Sequence, residues 1–420
     1  MAQDCTVVHF SGEPSSVRIE TLKTNDAPYK IPDGNQFGTF YTFCIVLSIL
    51  TYIIDIGLAI ILLYYYQANG FGSYFAVTLT FILLPALFMT AFNLRWYIVD
   101  HDDQQSMGRT STCQWIVRII FLLLQISPLL RYFDTLYYGI RSVVSRNNAH
   151  DQMLSTTYYR RMLDEDSNGA LLRLFHCFLH AGPQCVIQLI ILVRHLSEEN
   201  HSHVETEMAV VQAWTVLAGV ISIAWSLTSY HRSIRFARDD KNKVSWEGIM
   251  VAFIWHLMSV VSRVLALSLL AVIYPSWMGF MCILHWVVMS LWLTFEHLTA
   301  NCVNKCEELF LSCALGLAYV LAFISPRDGP TRYVYLAYYL VCFMENTGAL
   351  VVWCVTNNSL NNSALYYGAP ITQLITFVLA VAFLLLYYRY CHPSSPKGIF
   401  ITCPSSKSGL SKSYNLRSYS

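Results

Sequence analysis

Charge is what this chain has least of. Asp, Glu, Lys and Arg make up 13% of 420 residues, against about 25% in a soluble domain. That scarcity excludes an ordinary water-soluble fold. The charge balance is +1, a total that by itself points to no acidic partner, and no nucleic-acid partner is expected. Enzyme motifs are missing too. There is no Walker sequence, GxSxG, HExxH or DHHC, so neither an enzyme nor a cofactor is expected. His176 and His180 have HxxxH spacing, but no third ligand follows at a metal-binding interval, so no metal site is expected. The first 37 residues are mostly polar and lack a signal peptide's apolar core. The first apolar run is then expected to serve as its own insertion signal.

Disulfides are also not expected. None of the 13 cysteines falls in a loop assigned to the outside below, so no extracellular disulfide framework is expected from them. Cys391 and Cys403 follow the last apolar run and suit palmitoylation, although ordinary reduced thiols are the simpler reading.

What the chain does have is hydrophobic length. Residues of apolar type form 55% of it and the mean hydropathy is +0.44. Ten apolar segments stand out: 38–66, 72–98, 113–139, 170–193, 209–230, 246–273, 277–298, 309–325, 333–356 and 367–390. Most exceed the ~20 residues a helix needs to cross a bilayer. They are too long and continuous for an outer-membrane barrel, so the fold class is all-α and polytopic.

Lys and Arg set the expected orientation. The N-terminal tail, the stretch from Arg141 to Arg161, the stretch from Arg232 to Lys243 and the last thirty residues are basic and belong in the cytosol. The loops 67–71, 195–208, 275–276 and 357–366 carry no Lys or Arg and belong outside. The sequons at Asn200, Asn357 and Asn361 all fall in those outer loops. Parity then requires that the third and eighth segments dip in and return. Pro128 interrupts the third, which also carries Arg118, Arg131 and Asp134; the eighth is the shortest and ends at Ser325-Pro326. Re-entrant backbone is tolerated only inside protein or against a wet cavity.

The expected architecture is eight transmembrane helices plus two re-entrant segments, in two parallel five-segment repeats with both termini cytosolic. Residues 1–37 form an N-terminal tail, 38–233 the first half, 234–245 a basic loop, 246–390 the second half and 391–420 a C-terminal tail.

Each charge inside a membrane segment costs about 2.5–3.5 kcal/mol on insertion scales, so each needs a reason. Asp55, Arg131, Arg263 and Glu345 sit on four different segments with balanced signs. His176, His180, Gln184 and Gln188 recur every four residues, which puts them on one helical stripe. Such a stripe either lines a hydrophilic path or makes interhelical hydrogen bonds. Pro183, inside the same segment, is expected to kink or locally open the helix.

Several of these pieces occur in an order that resembles the XK-related family of membrane proteins. They are Leu124-Gln125-Ile126-Ser127-Pro128-Leu129-Leu130-Arg131, Leu171-Leu172-Arg173-Leu174-Phe175 and Ala181-Gly182-Pro183-Gln184. Ser262-Arg263-Val264-Leu265-Ala266-Leu267, Glu345-Asn346 and Tyr387-Tyr388 before Cys391-His392-Pro393 follow. The resemblance implies an ATP-independent phospholipid scramblase of the plasma membrane that exposes phosphatidylserine, in several members after caspase cleavage during apoptosis. It also implies phospholipids as ligands, and a single-span partner protein or a second copy. Charged positions matching Asp55, Arg131 and Arg263 would guide headgroups. Two departures matter. His176 and His180 stand where related chains tend to have acidic residues. Residues 391–420 contain no Asp or Glu, so a caspase cannot cut there, and the candidate cleavage positions are Asp26, Asp33 and Asp166. Two other readings stay open: a solute or amino-acid transporter, and a non-catalytic scaffold for a partner protein.

Overall fold

The computed structural model describes residues 37–103, 112–123, 126–147, 152–196, 203–237, 244–298, 305–324, 332–356 and 363–391. Among these, all regular structure is helical. The elements are α1 (Thr39–Ala68), α2 (Gly72–Asp103), α3 (Thr112–Leu123), α4 (Ser127–Asn147), α5 (Gln152–His176), α6 (Gly182–Leu196) and α7 (His203–Phe236). The second half contributes α8 (Trp246–Ile273), α9 (Pro275–Leu298), α10 (Lys305–Tyr319), α11 (Arg332–Thr356) and α12 (Ser363–Leu386). Wider π-helical turns, Cys177–Ala181 and Tyr387–Cys391, join α5 to α6 and extend α12.

Eight helical stretches are long and apolar enough to cross a membrane, the number expected from charge placement. Their order is the same in each half: two spans, shorter helices, two spans. The shorter helices are α3 and α4 in the first half and α10 in the second. The third apolar segment is thus not one element. It ends as α3 at Leu123 and restarts as α4 at Ser127, and Pro128 sits in the first turn of α4, where its missing N–H leaves no bond unmade.

The fourth segment is longer than its apolar part. The helix starts well before residue 170 and runs as one rod, Met153–Leu196. Pro183 is carried within it by the preceding π turn. There the Gly182 N–H bonds the Cys177 carbonyl, five residues back. Pro183 has no N–H to donate, and the wider turn relieves the clash of its ring with the turn below.

The bundle has the polarity that a bilayer demands. Phe43, Ile53, Ile60, Leu84, Phe295, Leu336 and Val378 are among the large apolar side chains on the outside, whereas Asp55, Arg131, Arg173, His176 and Arg263 are inside. With lipid as solvent, burial of apolar groups gains little, and close packing with internal hydrogen bonds must hold the helices. The main apolar cluster joins α5, α6, α7, α8, α9, α10 and α11. Gly316 shows how closely: a Cβ there would come within 3.0 Å of the Ser290 backbone nitrogen, so only glycine lets α10 approach α9. Gly70, with φ of 75°, makes the tight turn between α1 and α2.

Candidate functional site

A polar column runs along the α5–α6 rod. It begins with Glu165 and Asp166 and continues through Arg173, His176, His180 and Gln184 to Gln188, all buried. At 1.5 Å per residue the column is about 35 Å long, comparable to the ~30 Å hydrocarbon core.

Its partners come from α1, α2, α4 and α7. At one end Asp166 accepts hydrogen bonds from the Tyr41 hydroxyl (2.6 Å) and from Arg232 (3.2 Å). Glu165 accepts one from Arg131 (2.7 Å), whose Nε also donates to Asn93 (2.8 Å) and whose guanidinium lies 3.9 Å from the centre of the Tyr97 ring. Two turns further on, Arg173 donates to Ser222 and lies over Tyr52. Then comes the midpoint of α1, where Asp55 meets His176 Nε2 at 2.9 Å. The His180 ring stacks beside that of His176, centroids 4.8 Å apart, and its Nδ1 donates to the Phe81 carbonyl at 2.7 Å. Gln184 reaches the Thr78 carbonyl, and Gln188 links Gln184, Thr78 and Tyr66. Gln212 on α7 closes this end by donating to Tyr66.

Arg263 and Glu345 form a second centre, between α8 and α11. Arg263 bonds Glu345, Asn346 and the Val320 carbonyl just past the end of α10. His285 on α9 reaches the same carboxylate at 3.0 Å. The eight residues expected to share one track therefore divide. Asp55, Arg131, His176, His180, Gln184 and Gln188 share the column, whereas Arg263 and Glu345 lie across the apolar cluster that packs α6 against α8.

Two expectations need correction. Asp166 is not a cleavage position. It is buried in mid-helix with both carboxylate oxygens bonded, and a protease needs an extended, accessible strand. The chain before residue 170, expected to be cytosolic loop, supplies the column's charged end. Asp26, Asp33, Asn200, Asn357, Asn361 and Cys403 lie outside the described residues. The sequence reading also overlooked Asn93, Tyr66, Gln212 and Arg232 as partners. The signal for Asp166 was there: it precedes Arg173 by seven residues and His180 by fourteen, the same helical face continued backward. Nothing in sequence spacing reveals that Asp55, on α1, stands beside His176 and His180; their ligating atoms all lie within 4.8 Å of one another.

A multi-pass helical membrane protein with a buried polar column is the class that fold and site define. Comparison with known proteins narrows it. The family model of the XK-related protein matches residues 43–393, most of the chain, and the protein belongs to that family. It is similar to cell death abnormality protein 8 of Caenorhabditis elegans, 26% identical over 87% of this chain and 81% of the relative. The Caenorhabditis briggsae protein of the same name is 24% identical over the same shares.

Proposed function

We propose that this protein is an ATP-independent phospholipid scramblase of the plasma membrane that exposes phosphatidylserine in dying cells. The observation that carries this reading is the buried polar column, which runs the length of a membrane-spanning rod in a chain of this family. The names of the relatives, cell death abnormality protein 8, support the link to cell death.

In the proposed mechanism α3–α4 and α10 enter the membrane from the cytosolic side and return to it, and both termini are cytosolic. Headgroups pass along Asp55, Arg131, His176, His180, Gln184 and Gln188 while acyl tails remain in lipid. A bare headgroup in hydrocarbon loses its hydration at large cost. Column residues of both signs replace that hydration for phosphate and for amine. As described, column residues are bonded to neighbouring helices, so this is a closed form. Passage requires α1 and α2 to separate from the α5–α6 rod, exchanging protein partners for lipid ones. Arg263 and Glu345 then anchor the other half of the bundle. A single-span partner or a second copy is a proposed source of control.

The test is reconstitution in liposomes with fluorescent lipid, in intact and protease-cut forms. Dithionite should bleach the inner-leaflet dye at a rate above that of empty vesicles. If neither form ever accelerates bleaching, the reading is wrong.

A further inference from the structure

We propose that Asp55, His176 and His180 form a binding site for a divalent transition-metal ion, with zinc the ion whose ligand preferences fit. This goes beyond the scrambling reading and does not depend on it.

Three groups from three elements converge: Asp55 from the middle of α1, His176 from the end of α5, and His180 from the π turn. All three are buried, and their ligating atoms lie within 4.8 Å of one another. In a tetrahedral site with bonds of about 2.0–2.1 Å, ligand atoms sit about 3.3 Å apart. The Asp55–His176 pair, at 2.9 Å, is already near that spacing. Closing the longest separation takes about 1.5 Å, within the reach of side-chain rotation.

The second observation is the state of His180. Its Nδ1 must be the protonated nitrogen, because its partner is the Phe81 carbonyl, which can only accept. The lone pair is thereby left on Nε2. This is the backbone orientation that metal-ligating histidines use, with one ring nitrogen donating to a carbonyl and the other free for the ion. The π turn is the third. Such turns inside α-helices recur at functional sites, and this one spans from just after His176 to just after His180.

The donor set decides the ion. Two imidazoles and one carboxylate suit zinc and its neighbours in the first transition series. Calcium and magnesium want oxygen ligands throughout. Three protein ligands leave a fourth position for water. Arg173, one turn before His176, bonds Ser222 rather than the carboxylate, so Asp55 remains the site's one anionic ligand among these groups.

The experiment uses full-length protein in detergent, stripped with chelator, desalted and titrated with zinc against a competing dye. One zinc per chain is expected above any weak background. Two variants keep the local hydrogen bonds and remove one ligand nitrogen each. In His180→Asn the amide N–H replaces Nδ1–H toward Phe81. In His176→Gln the amide N–H replaces Nε2–H toward Asp55. Both should elute as folded protein and bind zinc about a hundredfold more weakly. Cobalt substitution should give the intense visible bands of a four-coordinate ion, without a thiolate charge-transfer band. Wild type with no zinc above background, or variants that bind as tightly as wild type, would overturn the site. A thiolate band would place the metal on cysteine and overturn it equally.

Discussion

The two halves of the molecule solve the same problem with different chemistry. Each has two spans, shorter helices and two more spans. In each, an acidic and a basic side chain meet between the first and third spans: Asp55 with His176 on α1 and α5, Arg263 with Glu345 on α8 and α11. In the first half the partner of the carboxylate is an imidazole, which can be neutral, and the pair belongs to a polar column that crosses the whole rod. In the second half the partner is a guanidinium, which is always charged, and the cluster stays at one level. There it also fastens the end of α10 through the Val320 carbonyl. A neutralisable pair in a column can open at modest cost. A fixed pair that clamps a short helix cannot. In the proposed mechanism this difference puts movement in the first half, at the Asp55–His176 pair, and anchorage in the second.

The largest effect should come from breaking the anchor. Arg263→Ala leaves the Glu345 carboxylate without its guanidinium and the Val320 carbonyl without its donor. Removing one partner of a buried pair costs about 3–5 kcal/mol, enough to abolish a folded peak in detergent gel filtration. Wild-type yield and melting behaviour for this variant would mean that the second half is no clamp.

Asp55→Ala should be milder in stability and stronger in function. It leaves the His176 imidazole without its partner, at about 1–3 kcal/mol for the lost hydrogen bond. Lipid exchange should nevertheless slow about tenfold, equivalent to ~1.4 kcal/mol of barrier. Dithionite bleaching normalised to folded protein measures this. An exchange rate that merely follows folding yield would reduce the column to packing.

Most of this asymmetry was not legible in the sequence. Spans were, because hydrophobic length and Lys/Arg placement report directly on the bilayer. The stripe His176, His180, Gln184 and Gln188 was also visible, because helical periodicity is local. Its partners were not, since Asp55, Thr78, Tyr66 and Gln212 come from other helices and pairing is set by tertiary packing. The start of α5 was hidden for another reason. Residues 152–169 are polar by composition, and hydropathy assigns such a stretch to a loop even where it packs inside.

Gln188→Leu tests the column at a neutral position. It breaks bonds to Tyr66, Thr78 and Gln184, leaving neutral groups unpaired at about 1 kcal/mol each. The melting point should fall by a few degrees, and exchange should slow several-fold but less than in Asp55→Ala. A larger loss than for Asp55 would shift the bottleneck from the column's middle to this end.

An effect read as a pH dependence, not as a loss at one pH, separates the two sets of shorter helices. In the first half α4 carries Asp134 in its interior; in the second, the charges of α10, Lys305, Glu307 and Glu308, lie in its first turn and none follows to residue 324. Asp134 lies outside the eight spans. Burial, reinforced by the Glu165 carboxylate, pushes its carboxyl up to about 7, while Arg118 and Arg131 pull the other way. A carboxyl with a raised folded-state pKa holds its proton more tightly when folded. Its contribution is therefore fully present below about pH 4, the unfolded value, and is lost as pH rises toward 7. Asp134→Asn removes the titration. The variant's melting point should gain on wild type as pH rises from 5 to 7 and keep a constant lead above that. Ser312→Ala in α10, with no charge to titrate, should shift the melting point equally at every pH. Parallel curves for Asp134→Asn and wild type would show that α4 holds its carboxylate as comfortably as water does.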